Sequence, residues 1–143
     1  MTLRLEDLAV GDALPSLDRI VTPEDVKAYA GAGGDQNPLH QDDAFARSVG
    51  FDGIVAHGMF TMGHMAACVT RWAGEEAFVT RIAAQFRAAV FMQERITAAG
   101  RVREIDRGAR SVTLDLWVSL ERDGATEFPI KRGEATVHVP DPG

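Results

Sequence analysis

In the stretch Gly34-Asp35-Gln36-Asn37-Pro38-Leu39-His40-Gln41-Asp42, a carboxylate and an imidazole stand five residues apart. Either group can take or give a proton near neutral pH once its surroundings tune it. Together, Asp35 and His40 could converge on one water molecule. Pro38 disfavours helical backbone at Asn37, so the pair is expected on a loop, where catalytic side chains concentrate. Singly, Asp35 also suits a turn-closing role and His40 a packing role. Sixteen residues after His40 begins Ala56-His57-Gly58-Met59, at the mouth of an apolar segment. If that segment is a helix, its first N–H groups are unpaired and partly positive, suited to a developing oxyanion. Gly58 would let a ligand approach that backbone without a Cβ in the way, or would simply ease the loop into the helix.

Such residues need rigid elements to hold them. Thr22-Pro23-Glu24-Asp25 is a helix start, with a capping threonine, a proline in the first turn and acids at the positive end. That helix runs through Val26, Tyr29 and Ala30 and breaks in Gly31-Ala32-Gly33-Gly34. A short helix is expected from Asp42 to Ser48. From Met59 to Trp72 the apolar residues spread around the helical wheel, which predicts a buried helix. Gly63, Ala66 and Ala67 are small enough to let other backbone come close to it. After Gly74 the period changes to two. Alternation is read in Ile82 to Val90, Ile96 to Val102, Val112 to Leu120 and Ala135 to Val139, with turns at Asp106-Arg107-Gly108 and Arg122-Asp123-Gly124. Short turns between strands make an antiparallel sheet, and one face of it must be covered. The expectation is an α+β chain with a long buried central helix wrapped by a curved antiparallel sheet. One domain spans 1–143, with the reactive loop at 31–47, the helix at about 58–72 and the strands at about 78–139.

The whole chain narrows the function classes. Its 143 residues, 45% hydrophobic and 25% charged, describe an ordinary globular domain. A net charge of −6 argues against nucleic acid as a partner. The start, MTLRLEDLAVGD, carries charges where a signal peptide needs an apolar run, and Gly58–Thr70 is too short for a membrane span. With one cysteine, Cys68, a cytoplasmic protein fits best. The histidines at 40, 57, 64 and 138 lack metal-ligand spacing, so no metal or cofactor is expected. His64 reads as a hydrogen-bonded core residue and His138 as surface or interface.

The joint motif, Gly-Asp-Gln-Asn-Pro-Leu-His-Gln-Asp followed by His57-Gly58-Met59, resembles the MaoC-like, or (R)-specific enoyl hydratase, family. The likeness extends through Ala44, Ala46, Gly50 and Ile54-Val55-Ala56. Leu8-Ala9-Val10-Gly11-Asp12 and Val69-Thr70-Arg71-Trp72 resemble more narrowly the catalytic subunit of the mycobacterial-type (3R)-hydroxyacyl-ACP dehydratase. The resemblance implies a hot-dog fold with Asp35 and His40 as the catalytic pair and the Gly58 amide as the oxyanion donor. It also implies reversible hydration of trans-2-enoyl thioesters, carried by coenzyme A or acyl carrier protein, to (3R)-hydroxyacyl thioesters. Asn37 matches the position that shapes the catalytic loop. Asn37, His57, Phe60 and Met62 are the candidate substrate contacts, and Phe45, Phe51 and Met65 could join Phe60 and Met62 in an acyl tunnel. Arg71, Arg81, Arg87, Arg101 or Arg103 could meet the carrier's negative charge. One departure stands out. Many relatives carry a proline-rich turn ending in Gly-Asp where this chain reads Arg87-Ala88-Ala89-Val90-Phe91-Met92-Gln93-Glu94, which bears on pocket shape and acyl preference. A dimer is expected, with itself or with another hot-dog subunit. A hot-dog thioesterase and a non-catalytic acyl-binding subunit are the alternative functions. In the latter the Asp/His pair would be lost, and here both residues stand.

Overall fold

The computed structural model describes residues 2–142. Three α-helices, α1 (Pro23–Gly33), α2 (Asp43–Ser48) and α3 (Gly58–Ala73), precede four of the five strands. The strands are β1 (Leu17–Ile20), β2 (Phe78–Phe86), β3 (Arg95–Asp106), β4 (Ser111–Arg122) and β5 (Ala125–His138), and short 3₁₀ turns cover Leu5–Asp7 and Pro38–His40. They form one antiparallel sheet in the order β1-β3-β4-β5-β2. Helix α3 packs against all five strands, as the α+β expectation required. Among the described residues, no helix is long and apolar enough to cross a membrane.

The helix boundaries follow from local chemistry. The Asp25 N–H donates to the Thr22 hydroxyl and the Thr22 N–H to the Asp25 carboxylate, both at 3.2 Å, so two orphan donors of α1 are satisfied reciprocally. The helix runs to the end of its glycine-rich stretch, where Gly34 at φ +80° terminates it in the left-handed conformation that glycine adopts cheaply. Asp42 caps α2 by accepting from the Phe45 N–H at 3.1 Å.

In β3, β4 and the second half of β5, every second residue is buried, whereas β2 buries none. Ile96, Ala98 and Val102 of β3, Val112 to Leu120 of β4, and Ala135 and Val137 of β5 face the core. Asp123 and Gly124, both at positive φ, turn β4 into β5 by the two-residue geometry whose twist suits a hairpin. Three readings need correction. β1 was not foreseen, because its four residues pair at the sheet edge with only Leu17 partly buried, too short a run to show a period. β2 stops at Phe86, and Arg87 to Glu94 form a loop that reaches Val90 back into the core. β5 starts at Ala125, well before Glu134; Pro129 hides the pattern because it cannot donate to a ladder, and register shifts beside Val118 absorb it.

Helix α3 lies along the sheet and buries Thr61, His64, Met65, Cys68, Val69 and Ala73. Its opposite face is open: Met59 is 55% exposed, and a Cβ at Gly63 would meet nothing within 4 Å. The close approach expected at Gly63, Ala66 and Ala67 is instead made by the sheet. A Cβ on Gly133 would stand 2.6 Å from the Met65 sulfur, and one on Gly100 would stand 2.6 Å from both the Asp115 carbonyl oxygen and Leu116 Cδ2. Gly100 and Gly133 both pair with Leu116, so the sheet has a bare strip on either side of that residue. Gly100→Ala forces a methyl into a carbonyl that cannot move freely and is expected to cost about 1–3 kcal/mol, the usual range for overpacking. Gly63→Ala, on an open helical face, is expected to stabilise by about 0.5–1 kcal/mol. Urea unfolding of the two variants beside the parent measures both signs.

Candidate active site

The loop after α1 is built around one proline and one asparagine. Asn37, extended at ψ 129° as a residue before proline must be, accepts the Leu39 N–H on its side-chain oxygen at 3.0 Å and so caps the turn Pro38–His40. Asp35 accepts the Asn37 N–H at 3.2 Å, which closes the preceding turn. The Val55 segment then fixes this loop against the sheet. Its N–H donates to the Leu39 carbonyl at 3.2 Å, its own carbonyl accepts from His40 Nδ1 at 2.6 Å, and it bridges to Phe91 beyond β2.

A carbonyl can only accept, so the bond to Val55 puts the ring proton of neutral His40 on Nδ1 and leaves a lone pair on Nε2. That Nε2 lies 3.8 Å from Asp35 Oδ2. The imidazole is 12% exposed and the carboxylate 55%, so one is held by the protein while the other meets solvent. His57, immediately before α3, is 2% exposed and stacks on His40 with ring centroids 3.8 Å apart and planes inclined by 23°. Its Nε2–H donates to the Asp35 backbone carbonyl at 3.0 Å, and Tyr29 closes over its other side at 4.8 Å between centroids.

Asp35, His40 and His57 each offer an atom within 4.8 Å of the others, a grouping that could suggest a metal centre. The geometry argues otherwise. Lone pairs lie in the ring planes, and two stacked rings direct them nearly parallel instead of at one point. His57 Nε2 is in addition already committed to a carbonyl. The arrangement suits proton transfer through Asp35 and His40.

His40 and Gly58 open onto the same cleft, of about 340 Å³, which is also lined by Phe51, Thr61, Phe86 and Pro129. Gly58 is the first residue of α3, whose 16 residues aim their positive end at this space. A Cβ on Gly58 would touch the Phe86 ring at 3.3 Å, so glycine keeps the passage beside that ring open.

The MaoC like domain matches residues 9–121, which include the loop, the start of α3 and four of the strands. The chain belongs to the MaoC-like family. It is 30% identical over 139 residues to an (R)-specific enoyl-CoA hydratase of Rhodospirillum rubrum, covering 96% of this chain and 92% of that one. A 3-hydroxybutyryl-CoA dehydratase of Methylorubrum extorquens is 31% identical over the same length, covering 96% and 85%. Among solved structures, the (R)-hydratase of A. caviae involved in PHA biosynthesis superposes with a TM-score of 0.85 at 26% identity, over 94% of this chain and 99% of that one. The fold of this MaoC-like chain is accordingly the hot-dog fold.

Several candidate contacts lie elsewhere in this family member. Phe60 packs edge-on against Tyr29 and under the Arg19 guanidinium, away from the cleft. Met62 is half-buried and packs against the core, and Met65 is wholly buried. His57 is too enclosed for a ligand to reach its ring, and the Asn37 side chain is spent on its cap. Of the five proposed tunnel residues, Phe51 is the one on the cleft wall. Also on the cleft wall, and not among the candidates from sequence, are Thr61, Pro129 and the run Phe86–Val90. Arg122 braces that loop. It binds the Glu94 carboxylate at 2.6 and 2.9 Å and the Ala89 carbonyl at 2.9 Å, and lies 4.8 Å over the Phe91 ring. The bond to Glu94 raises the Arg122 pKa above its ordinary value.

His64 is the core histidine the sequence suggested, its Nε2–H donating to the Leu17 carbonyl at 2.7 Å. Burial is the main cause that lowers its pKa below the ordinary 6.5. The unfolded chain therefore binds a proton here more readily than the folded one, so His64 contributes stability above about pH 6.5 that is lost as pH falls below that value. His64→Gln can keep a donor to Leu17 and cannot titrate. Its urea unfolding midpoint is expected to fall less than the parent's between pH 7 and pH 5.

Proposed function

We propose that Asp35, His40 and Gly58 catalyse the reversible hydration of trans-2-enoyl thioesters to (3R)-hydroxyacyl thioesters, in fatty-acid metabolism. The chain is a hydro-lyase of the enoyl hydratase and hydroxyacyl dehydratase class. The observation that carries the residue assignment is the pair of acceptors, His40 Nε2 and Asp35 Oδ2, 3.8 Å apart, with His40 on the wall of the cleft. Two acceptors at that separation cannot bond directly, but one water can donate a hydrogen to each.

In the forward direction that water gives a proton to the pair, with Asp35 as the principal base, while its oxygen bonds to C3. The π electrons of the C2–C3 bond move toward the thioester carbonyl, whose oxygen becomes enolate-like and takes the Gly58 N–H at the positive end of α3. The proton taken by Asp35 is shared with His40 Nε2 and passes from the pair to C2, so the enzyme ends as it began. Dehydration is the same path reversed. Because one pair holds the water and returns its proton, water and proton add to the same face of the double bond. The apolar cleft beside Phe51, Phe86 and Pro129 suits the acyl chain. The carrier is coenzyme A or acyl carrier protein.

The working form in this reading is a dimer in a cytoplasmic setting, either of two such chains or with a second hot-dog subunit. Its support is the edge position of β2 and the exposed apolar side chains beside it: Met59, Phe78 and Phe86 are each about half exposed.

The test is loss of the enoyl absorbance when the chain meets crotonyl-CoA and longer trans-2-enoyl-CoAs, alone and then with a co-expressed hot-dog partner. Hydration is expected, with Asp35→Asn and His40→Ala each lowering kcat about 10²–10⁴-fold, the range for general acid–base groups. Release of free CoA with the alkene intact would convert the reading to a thioesterase. Binding without any turnover, with or without the partner, would leave an acyl-binding subunit.

A further inference from the structure

Resting on the hydro-lyase reading, we infer that His57 is a positioning residue that sets the place of Asp35. The Asp35 carboxylate hydrogen-bonds the Asn37 N–H two residues on, which closes a local turn, and its Oδ2 stands 3.8 Å from His40 Nε2 and 4.0 Å from His57 Nε2. Its neighbour Gln36 reaches back to the Ala30 carbonyl at 2.9 Å and accepts from Gln41 at 2.8 Å, ties that belong to α1 and to the loop itself. The bond from His57 Nε2 to the Asp35 carbonyl, at 3.0 Å, is what fastens the aspartate to the start of α3. The same helix start carries Gly58. One imidazole thus fixes the distance between the base and the oxyanion donor.

The ring performs a second task at the same time. Stacked at 3.8 Å on His40 and backed by Tyr29, it fills the space behind the catalytic imidazole and prevents that ring from tilting. Donation from Nε2 obliges neutral His57 to leave Nδ1 bare, and Nδ1 is the one buried side-chain N or O atom without a partner among the described residues. A phenylalanine would fill this space with no unpaired nitrogen. The unmet acceptor is therefore the cost of placing a donor beneath Asp35, and at 2% exposure that donor is out of a substrate's reach.

The experiment compares His57→Phe, which keeps a flat ring and loses the donor, with His57→Gln, whose side-chain amide can reach the same carbonyl. Both are assayed with crotonyl-CoA. His57→Phe is expected to lower kcat by about 10–100-fold with KM within threefold of the parent, since a displacement of about 1 Å in a catalytic group can cost that much. His57→Gln, which keeps the donor and loses the stacked ring, is expected to recover kcat at least about threefold over His57→Phe without reaching the parent. Retention of the parent kcat by His57→Phe, or a rise in KM with kcat unchanged, would overturn the inference, the latter by making His57 a substrate contact. Should His57→Phe not fold, ring-nitrogen NMR of the intact parent at pH 8.5 decides the bond by itself. A protonated Nε2 and bare Nδ1 on His57 support it, and the opposite tautomer refutes it. An inert parent with the Nε2–H tautomer present would sink the hydro-lyase reading and leave the His57–Asp35 link standing.

Discussion

The backbone of Val55 is the point on which the two layers of this protein depend. Its N–H and carbonyl both face the loop, one to Leu39 and one to His40, and its bridge to Phe91 joins that loop to the segment leaving β2. The next residue, Ala56, extends the contact by donating to the Val90 carbonyl at 2.8 Å. Val55 and Ala56 are buried, so these bonds are shielded from competition by water. Without them the Asp35–His40 loop would be joined to the sheet through longer and softer routes. Three residues on, the same strand of chain becomes the first turn of α3. A single extended segment thus sets the histidine tautomer, the loop position and the helix end that faces the substrate.

Around that segment the fold divides labour between a stiff part and an adjustable one. The stiff part is the pairing of β3, β4 and β5 with α3 pressed against it, where Gly100 and Gly133 leave no room for a side chain. The adjustable part is the loop Arg87–Glu94, which forms one wall of the cleft and is braced from β4 by Arg122. A hydro-lyase for acyl thioesters needs both, because the proton-transfer geometry tolerates little error while the acyl wall must differ between substrates. The loop takes its shape from an arginine–glutamate pair and a cation over Phe91.

The histidines show how position decides role. His40 keeps Nε2 toward the cleft because Val55 occupies Nδ1. His57 turns Nε2 inward to a carbonyl and is sealed off. His64 serves the core by holding Leu17, which places the edge strand β1 against α3. His138 ends β5 with its ring 5.1 Å from Phe78, at the sheet edge. Four chemically identical side chains therefore do four different things, each set by what the first ring nitrogen meets or by where the strand ends.

Much of this was legible in the order of residues. The helix start at Thr22, the cap at Asp42, the alternation in β3 and β4, and the turn at Asp123-Gly124 are local signals, because capping, period and positive φ act over a few residues. The pairing of Asp35 with His40 was legible too, since Pro38 forces a loop that brings them within reach of one water. What sequence could not determine were the features made by distant residues. β1 has too few residues to show a period, and Pro129 conceals the first half of β5. Which small residues admit close packing was settled by the sheet's curvature, so Gly133 took the role expected of Gly63. The role of His57 depends on a bond across 22 residues and a stack on His40, and the cleft wall depends on Arg122 reaching Glu94 across 28. Local preferences fix elements and turns; the direction of a buried side chain is fixed only when all of its neighbours are in place.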